Sequence, residues 1–170
     1  MTVSQVERPE PRKVSDERTM LDGWLDYHRA TLLRKCAGLN DDQLRRRSCP
    51  PSTLSLLGLV RHLTEVERGW FLRGVADRRD VPPIYYSDDN PDGDFDDVDA
   101  ADVGETFATY RRTCDEVRAA VAEATLDDML RDGDSRCSVR WVYLHLIEEY
   151  ARHNGHADLL RERIDGATGC

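Results

Sequence analysis

The chain has 170 residues and a formal net charge of −9, with 39% hydrophobic and 34% charged residues. This length and apolar content fit a single domain with a real core and exclude wholesale disorder. The acidic balance argues against nucleic-acid binding, which needs a basic surface. Because the sequence has neither an 18-residue apolar run nor a secretory signal pattern, we expect no membrane segment and a cytoplasmic location.

Four amphipathic segments predict four long helices. We expect residues 1–14 to be a flexible N-terminal arm and residues 15–166 to form one domain, with Ser15 and Ser138 as helix N-caps. No segment shows convincing β-alternation. The sequence therefore predicts an all-α fold, a four-helix bundle with a long acidic loop between the second and third helices. The approximate helix ranges are 16–37, 53–75, 101–124 and 139–164.

The net charge comes almost entirely from that loop. Eight aspartates and no basic residue stand between positions 88 and 102, and the rest of the chain is nearly neutral. A loop of this length is typical of a functional lid or binding segment. Residues 88–99 also match much of a calcium-binding EF loop, but Asp99 replaces the usual final glutamate and Pro82 and Pro83 oppose an entering helix. We expect a solvated loop that caps the third helix, with Tyr85, Tyr86 and Phe95 stapling it to the core.

The fourth helix carries the most informative pattern. His145, Glu149, His153 and His156 are spaced by four, four and three residues and fall within an arc of about 80°. Apolar residues share this arc, so it faces the core, whereas Glu148 points about 100° away toward solvent. The apolar neighbours of the arc are Trp141, Val142, Leu146 and Leu160.

A carboxylate that faces a core is costly unless it is paired or bound to a cation. Imidazole and carboxylate groups one turn apart can reach one metal ion, and His62 on the second helix can supply a third ligand. A His–Glu–His set with an open position is what a catalytic zinc-type site needs. The alternative is a network of core histidines hydrogen-bonded to Glu149.

Two stretches of the sequence resemble the DinB superfamily, within its mini-circle protein or domain-of-unknown-function 664 branch. They are residues 58–71 and 145–162, and the second includes the distinctive His-Asn-Gly-His-Ala-Asp run. The resemblance extends over about residues 15–166. It implies a four-helix bundle in which His62, Glu149 and His153 hold a divalent metal. Many relatives have histidine where Glu149 stands, and the glutamate variant resembles mycothiol-dependent maleylpyruvate isomerase and related thiol transferases.

The resemblance also implies an activity. Characterised relatives transfer low-molecular-weight thiols such as mycothiol or bacillithiol, so we expect a metal-activated thiolate to attack a small electrophile. His156 would be the catalytic partner, as a proton acceptor or substrate contact. Zinc is the expected metal, although nickel, manganese and iron tolerate such ligands. The alternatives are a non-catalytic metal-binding stress-response protein and a metal-dependent hydrolase.

Other residues have weaker claims to function. His145 either orients Glu149 or is plain core, and His28 is expected to be a packed histidine. The five cysteines form no CxxC pair, so we expect reduced thiols without a catalytic role, and Cys137 would be the least implausible nucleophile. The expected partner is a small-molecule substrate, with no nucleic acid and no membrane. A homodimer remains open.

Overall fold

The computed structural model describes residues 6–132 and 135–169, and for residues 131, 132 and 135 only the backbone. Residues 1–5 of the predicted arm and Cys170 lie outside the described residues. The fold is mostly helical, which confirms the all-α class. In chain order the elements are α1 (Glu17–Cys36), α2 (Asp41–Arg45), α3 (Leu56–Glu67), a π-helix (Arg68–Val75), α4 (Gly93–Asp96), α5 (Val103–Ala120), β1 (Met129–Asp132), β2 (Ser135–Ser138) and α6 (Val139–Asp165).

Side-chain caps fix where the long helices begin. Ser138 caps α6 by accepting a hydrogen bond from the Trp141 amide, as predicted. Helix α1 is capped by Asp16 rather than by the predicted Ser15, because the Asp16 carboxylate accepts from both the amide and the hydroxyl of Thr19. Asp102 caps α5, so the acidic segment does cap this helix.

The second predicted helix is present but changes character along its length. Ser55 caps α3, and after Glu67 the chain continues without a break into the π-helix that ends at Val75. A π-helix widens the turn, is rare, and is frequently found at functional sites. This one carries Trp70 and Arg73, which both border the cleft described below.

The four long helices pack on one another, with α1 against α6 and α3 against both α5 and α6. Their shared core contains the fully buried aromatic rings of Phe71, Tyr110, Tyr143 and Tyr150. That these helices form a four-helix bundle remains our prediction. Among the described residues no helix is long and apolar enough to span a membrane.

A short antiparallel hairpin corrects the expectation of no β-structure. Strand β1 pairs with β2 from Met129 opposite Ser138 to Asp132 opposite Ser135. The strands are mostly polar and show no alternating apolar face, which is why the sequence pattern does not reveal them. The hairpin is joined directly to α6, where the Val139 amide donates to the Asp128 carbonyl.

The acidic segment between the π-helix and α5 is tied to the core rather than wholly solvated. Val98 within it is fully buried. Arg61 of α3 donates to the carbonyl oxygens of Gly93 and Asp94, both at 2.9 Å, and its guanidinium lies over the Tyr85 ring at 4.2 Å. These contacts hold helix α4 against α3, which positions one of the aspartates for the site.

Candidate metal centre

The three predicted ligands lie together between α3 and α6. One ligand atom from each of His62, Glu149 and His153 lies within 4.8 Å of the others. The Glu149 Oε2 atom is 3.4 Å from His153 Nε2 and 3.8 Å from His62 Nε2. Both distances exceed an ordinary hydrogen bond, so the three groups face a common point without closing on one another. We call these three residues the candidate metal centre.

The two neighbouring glutamates of α6 differ as their helical phase predicts. The Glu149 side chain is 13% exposed, whereas that of Glu148 is 47% exposed and pairs with Arg152. Arg152 also lies 3.4 Å from Glu149 Oε1, which leaves Oε2 for the two imidazoles. One carboxylate of the pair therefore belongs to the surface and the other to the candidate metal centre.

Asp94 is a partner of the centre that the sequence reasoning missed. Its Oδ2 atom is 2.9 Å from His62 Nδ1, and its side chain is only 8% exposed. A carboxylate at this position keeps the proton on Nδ1, so the Nε2 lone pair of His62 points toward Glu149. The Phe95 ring stacks on the same imidazole, with centroids 4.8 Å apart.

The backbone that presents Asp94 is tightly fitted. A Cβ atom on the preceding Gly93 would lie 2.6 Å from the Tyr85 carbonyl oxygen, so only glycine fits there. The second oxygen of Asp94 accepts from the Phe95 amide at 3.0 Å. The aspartate is thus held in one orientation by its own short helix and by Arg61 behind it.

His153 is held in the neutral form that a metal ligand requires. Burial, followed by the neighbouring His62, lowers the pKa of His153 to about 4. The Nδ1 atom of His153 lies 3.3 Å from Nδ1 of His156. If the proton of the His153 ring lies on Nδ1, between the two imidazoles, then its Nε2 atom is unprotonated and faces Glu149. His156, the predicted catalytic residue, thus contacts the centre through His153.

The other two histidines are not part of the candidate metal centre, although one ligand atom of His145 lies within 4.8 Å of atoms of Glu148 and Glu149 in a second group that could hold a metal ion. His145 is half-buried, with its ring stacked on Trp141 and edge-to-face with Trp70, each at 4.9 Å between centroids. Trp141 itself is 45% exposed rather than a core residue, because it covers His145 and Trp70 at the surface. His28 is packed as expected: Asn154 donates to its carbonyl oxygen, and burial lowers its pKa.

A cleft of about 400 Å³ opens beside the candidate metal centre. His62 and Phe95 form one side of it, so a small molecule in the cleft can reach a metal ligand. Phe95 therefore both staples the acidic segment and lines the cleft, and Tyr86 lines it as well, whereas Tyr85 packs on Arg61. The remaining polar and aromatic walls come from Glu65, Trp70, Arg73 and Asp94.

The aspartates that match an EF loop point to different partners. Asp94 bonds to His62, Asp97 accepts from Asn90, and Asp99 pairs with Arg47. Within the described part of the chain, the groups able to hold a metal ion include none of the loop aspartates. The calcium interpretation thus lacks a converging set of ligands there.

The described cysteines do not resemble nucleophiles. Burial raises the pKa of the Cys36 and Cys114 thiols to about 12. The Cys49 thiol donates to the Leu159 carbonyl oxygen at 3.7 Å. Cys137 lies in β2, just before α6 begins, and Glu149 and His153 stand in later turns of that helix. The chemistry of the site is therefore carried by imidazole and carboxylate groups.

Two histidines and one glutamate converge beside a cleft between packed helices. This arrangement is typical of metal sites in helical metalloenzymes, and it makes the protein a candidate for that class. The chain matches the family model described as MST, mycothiol S-transferase, over residues 20–166. It belongs to this family, and the resemblance to DinB-like thiol transferases is confirmed. A search among curated proteins gave no match.

Proposed function

We propose that this protein is a metal-dependent thiol S-transferase that uses mycothiol or a similar low-molecular-weight thiol. The observation that carries the proposal is the convergence of His62, Glu149 and His153 beside an open cleft. Membership of the mycothiol S-transferase family supports the choice of thiol transfer among metal-dependent reactions. A cytoplasmic location and a four-helix-bundle architecture are part of the same proposal.

The residues present fit a divalent metal. The far nitrogens of the two imidazoles face Asp94 and His156, so both near nitrogens are directed at the same point as the Glu149 oxygen. Two nitrogens and one carboxylate oxygen form a ligand set that zinc accepts and that leaves a position open. Nickel, manganese and iron also accept these ligands, and zinc is our first choice.

In the proposed mechanism, a bound divalent ion would supply a Lewis acid that lowers the pKa of an incoming thiol. The chain's residues do the remaining work. Asp94 keeps the proton of His62 on Nδ1 and so preserves the orientation of this ligand. Since Nδ1 of His156 faces His153, we assign its Nε2 atom the role of accepting the thiol proton or contacting the substrate. Phe95 and Trp70 would shield the sulfur from water while it bonds to the electrophilic carbon and the bond from that carbon to its leaving group breaks.

Elemental analysis tests the ligand assignment. We expect purified protein to carry metal and the variant His153→Ala to have lost most of it. Glu149→Gln should bind metal more weakly, whereas its neighbour Glu148→Gln, an exposed residue, is the matched control and should behave as the unchanged protein. Equal metal content in the unchanged protein and His153→Ala would reject the assignment.

Turnover with different nucleophiles tests the reaction class. We expect the metal-loaded protein to consume a thiol-reactive electrophile such as monobromobimane only when mycothiol or another small thiol is added. Reaction with water alone would identify a metal-dependent hydrolase instead. Full metal loading without turnover of any thiol would favour the alternative of a non-catalytic metal-binding protein.

A further inference from the structure

The wall of the cleft contains a buried carboxylate oxygen without a hydrogen bond. Glu65 lies on α3, one turn after His62, and is 5% exposed. Its Oε1 atom accepts from the amides of Ile84 and Tyr85 at 2.5 and 2.8 Å, which fixes the side chain. Its Oε2 atom has no hydrogen-bond partner within the described residues. An acceptor left in this state costs about 1–3 kcal/mol, so it needs an explanation.

A donor without a hydrogen bond lies beside it. Arg73 of the π-helix donates through Nη2 to the Tyr86 hydroxyl at 3.1 Å. Its Nη1 atom has no hydrogen-bond partner in the described part of the chain, and it lies 4.0 Å from Glu65 Oε2. That separation is too long for a hydrogen bond between the two side chains. One charged acceptor and one charged donor thus lie side by side within the cleft wall as a long ion pair, and both atoms are buried.

We infer that Glu65 and Arg73 form a subsite for the hydroxyl groups of a sugar-like portion of the thiol co-substrate. A hydroxyl group can donate to Glu65 Oε2 and accept from Arg73 Nη1, which no singly charged group can do equally well. Glu65 would repel a carboxylate or phosphate, and Arg73 would repel an ammonium group. A neutral polyol is the ligand class that satisfies both residues.

The surroundings suit such a ligand. Trp70 and Tyr86 line the same cleft, and aromatic faces pack well against the C–H surfaces of sugar rings. The π-helical turn places both Trp70 and Arg73 along this wall. His62 lines the cleft one helical turn, or about 4.5 Å along the axis, from Glu65. A thiol at the metal centre and hydroxyl groups at this subsite can therefore belong to one molecule.

This inference rests on the proposed function, since mycothiol carries its cysteine on an amino sugar joined to inositol. The discriminating variant is Glu65→Gln. Its amide oxygen can still accept from the Ile84 and Tyr85 amides, while an NH2 group, which only donates, replaces the Oε2 acceptor. Arg73→Gln is the second variant. Arg78→Gln is the matched control, since Arg78 is an exposed residue outside the cleft that pairs with Glu116.

The first measurement compares KM for mycothiol with KM for N-acetylcysteine, which has no sugar. We expect Glu65→Gln and Arg73→Gln each to raise KM for mycothiol about tenfold, the effect of losing one charged hydrogen bond, and to change KM for N-acetylcysteine less than about twofold. Arg78→Gln should change neither. An equal effect on both thiols, an effect only on the electrophile, or no effect would overturn the inference.

The second measurement needs no turnover. Titration with the N-acetylated amino sugar–inositol portion of mycothiol, which lacks the thiol and keeps its nitrogen as a neutral amide, should change the tryptophan fluorescence of the protein. Both variants should weaken this binding about tenfold. Unchanged binding in both variants, or none in the unchanged protein, would overturn the subsite. If no thiol is turned over, the proposed function fails, and this titration still decides the inference separately.

Discussion

Two glutamates, Glu67 and Glu149, lie between the long helices, and their carboxylate oxygens differ in whether the protein supplies them with hydrogen-bond partners. Glu67 at the end of α3 is fully buried, and both of its oxygens are bonded. Arg29 of α1 donates to it twice at 2.7 Å, and the Tyr150 hydroxyl donates at 2.9 Å. Tyr150 in turn shares a hydrogen bond with Tyr110 at 2.9 Å, so the network joins all four long helices. The protein's own side chains therefore supply hydrogen-bond donors to both oxygens of Glu67.

Glu149 belongs to a cluster that the protein leaves open. Its Oε2 atom faces the nitrogens of His62 and His153 at 3.8 and 3.4 Å, distances too long for ordinary hydrogen bonds. The outer nitrogens of both rings are engaged by other side chains, so only the inner atoms lack close partners. Burial of a carboxylate alone therefore does not identify a functional site. Converging atoms that the chain itself does not satisfy are the better indicator.

The largest effect that we expect is a difference in the free energy of unfolding between a Glu67 variant and a Glu149 variant. Glu67→Gln removes the buried charged partner of Arg29 and, among the described residues, leaves it only the partly exposed Asp26, which should lower the free energy of unfolding by about 3–5 kcal/mol. Glu149→Gln should change the metal-free protein by less than about 1 kcal/mol, because no close hydrogen bond is lost. Urea unfolding of both metal-free variants measures the difference. Similar destabilisation in the two would show that the Glu149 cluster is also a structural network.

The same helical periodicity predicts the orientation of both glutamates. The sequence predicts an inward-facing Glu149 because it lies on the same face of α6 as three histidines. Glu67 follows Leu63 by four residues and Val60 by seven, so its phase also points into the core, and this signal could have found it. Arg29 likewise follows Leu25 by four residues and is buried. In helices the direction of a side chain can be read from spacing alone.

Asp94 could not be found in this way. It is one of eight aspartates in a segment without a sequence period, and nothing in the spacing distinguishes it from Asp92 or Asp96. Its position depends on Arg61 holding the backbone of α4 and on the tight turn at Gly93, which are tertiary effects. Acidic composition therefore predicted the charge of this segment but not the single buried partner that it supplies.

A second prediction tests whether Asp94 belongs to the open cluster. Asp94→Asn removes the charge that orients His62 and should weaken metal binding about tenfold, the lower end of the effect of such outer partners. Competition with a chromophoric chelator measures the affinity. Asp99→Asn is the control from the same segment, because its pair with Arg47 is exposed and worth little. Equal affinities of the two variants would remove Asp94 from the site.

The smallest effect concerns pH and the metal-free protein. The folded protein holds the pKa of His153 near 4, whereas an unfolded histidine titrates near 6.5. Between these values the unfolded chain binds more protons, so the free energy of unfolding should decrease as pH falls from about 6.5 to 4. His153→Gln should flatten this part of the profile, and His145→Gln, on the same helix, is the control for losing a histidine. Glu67→Gln should lower stability across the whole range, since it removes the double hydrogen bond from Arg29. A slope unchanged by His153→Gln would mean that the buried imidazole is not the group held neutral for the centre.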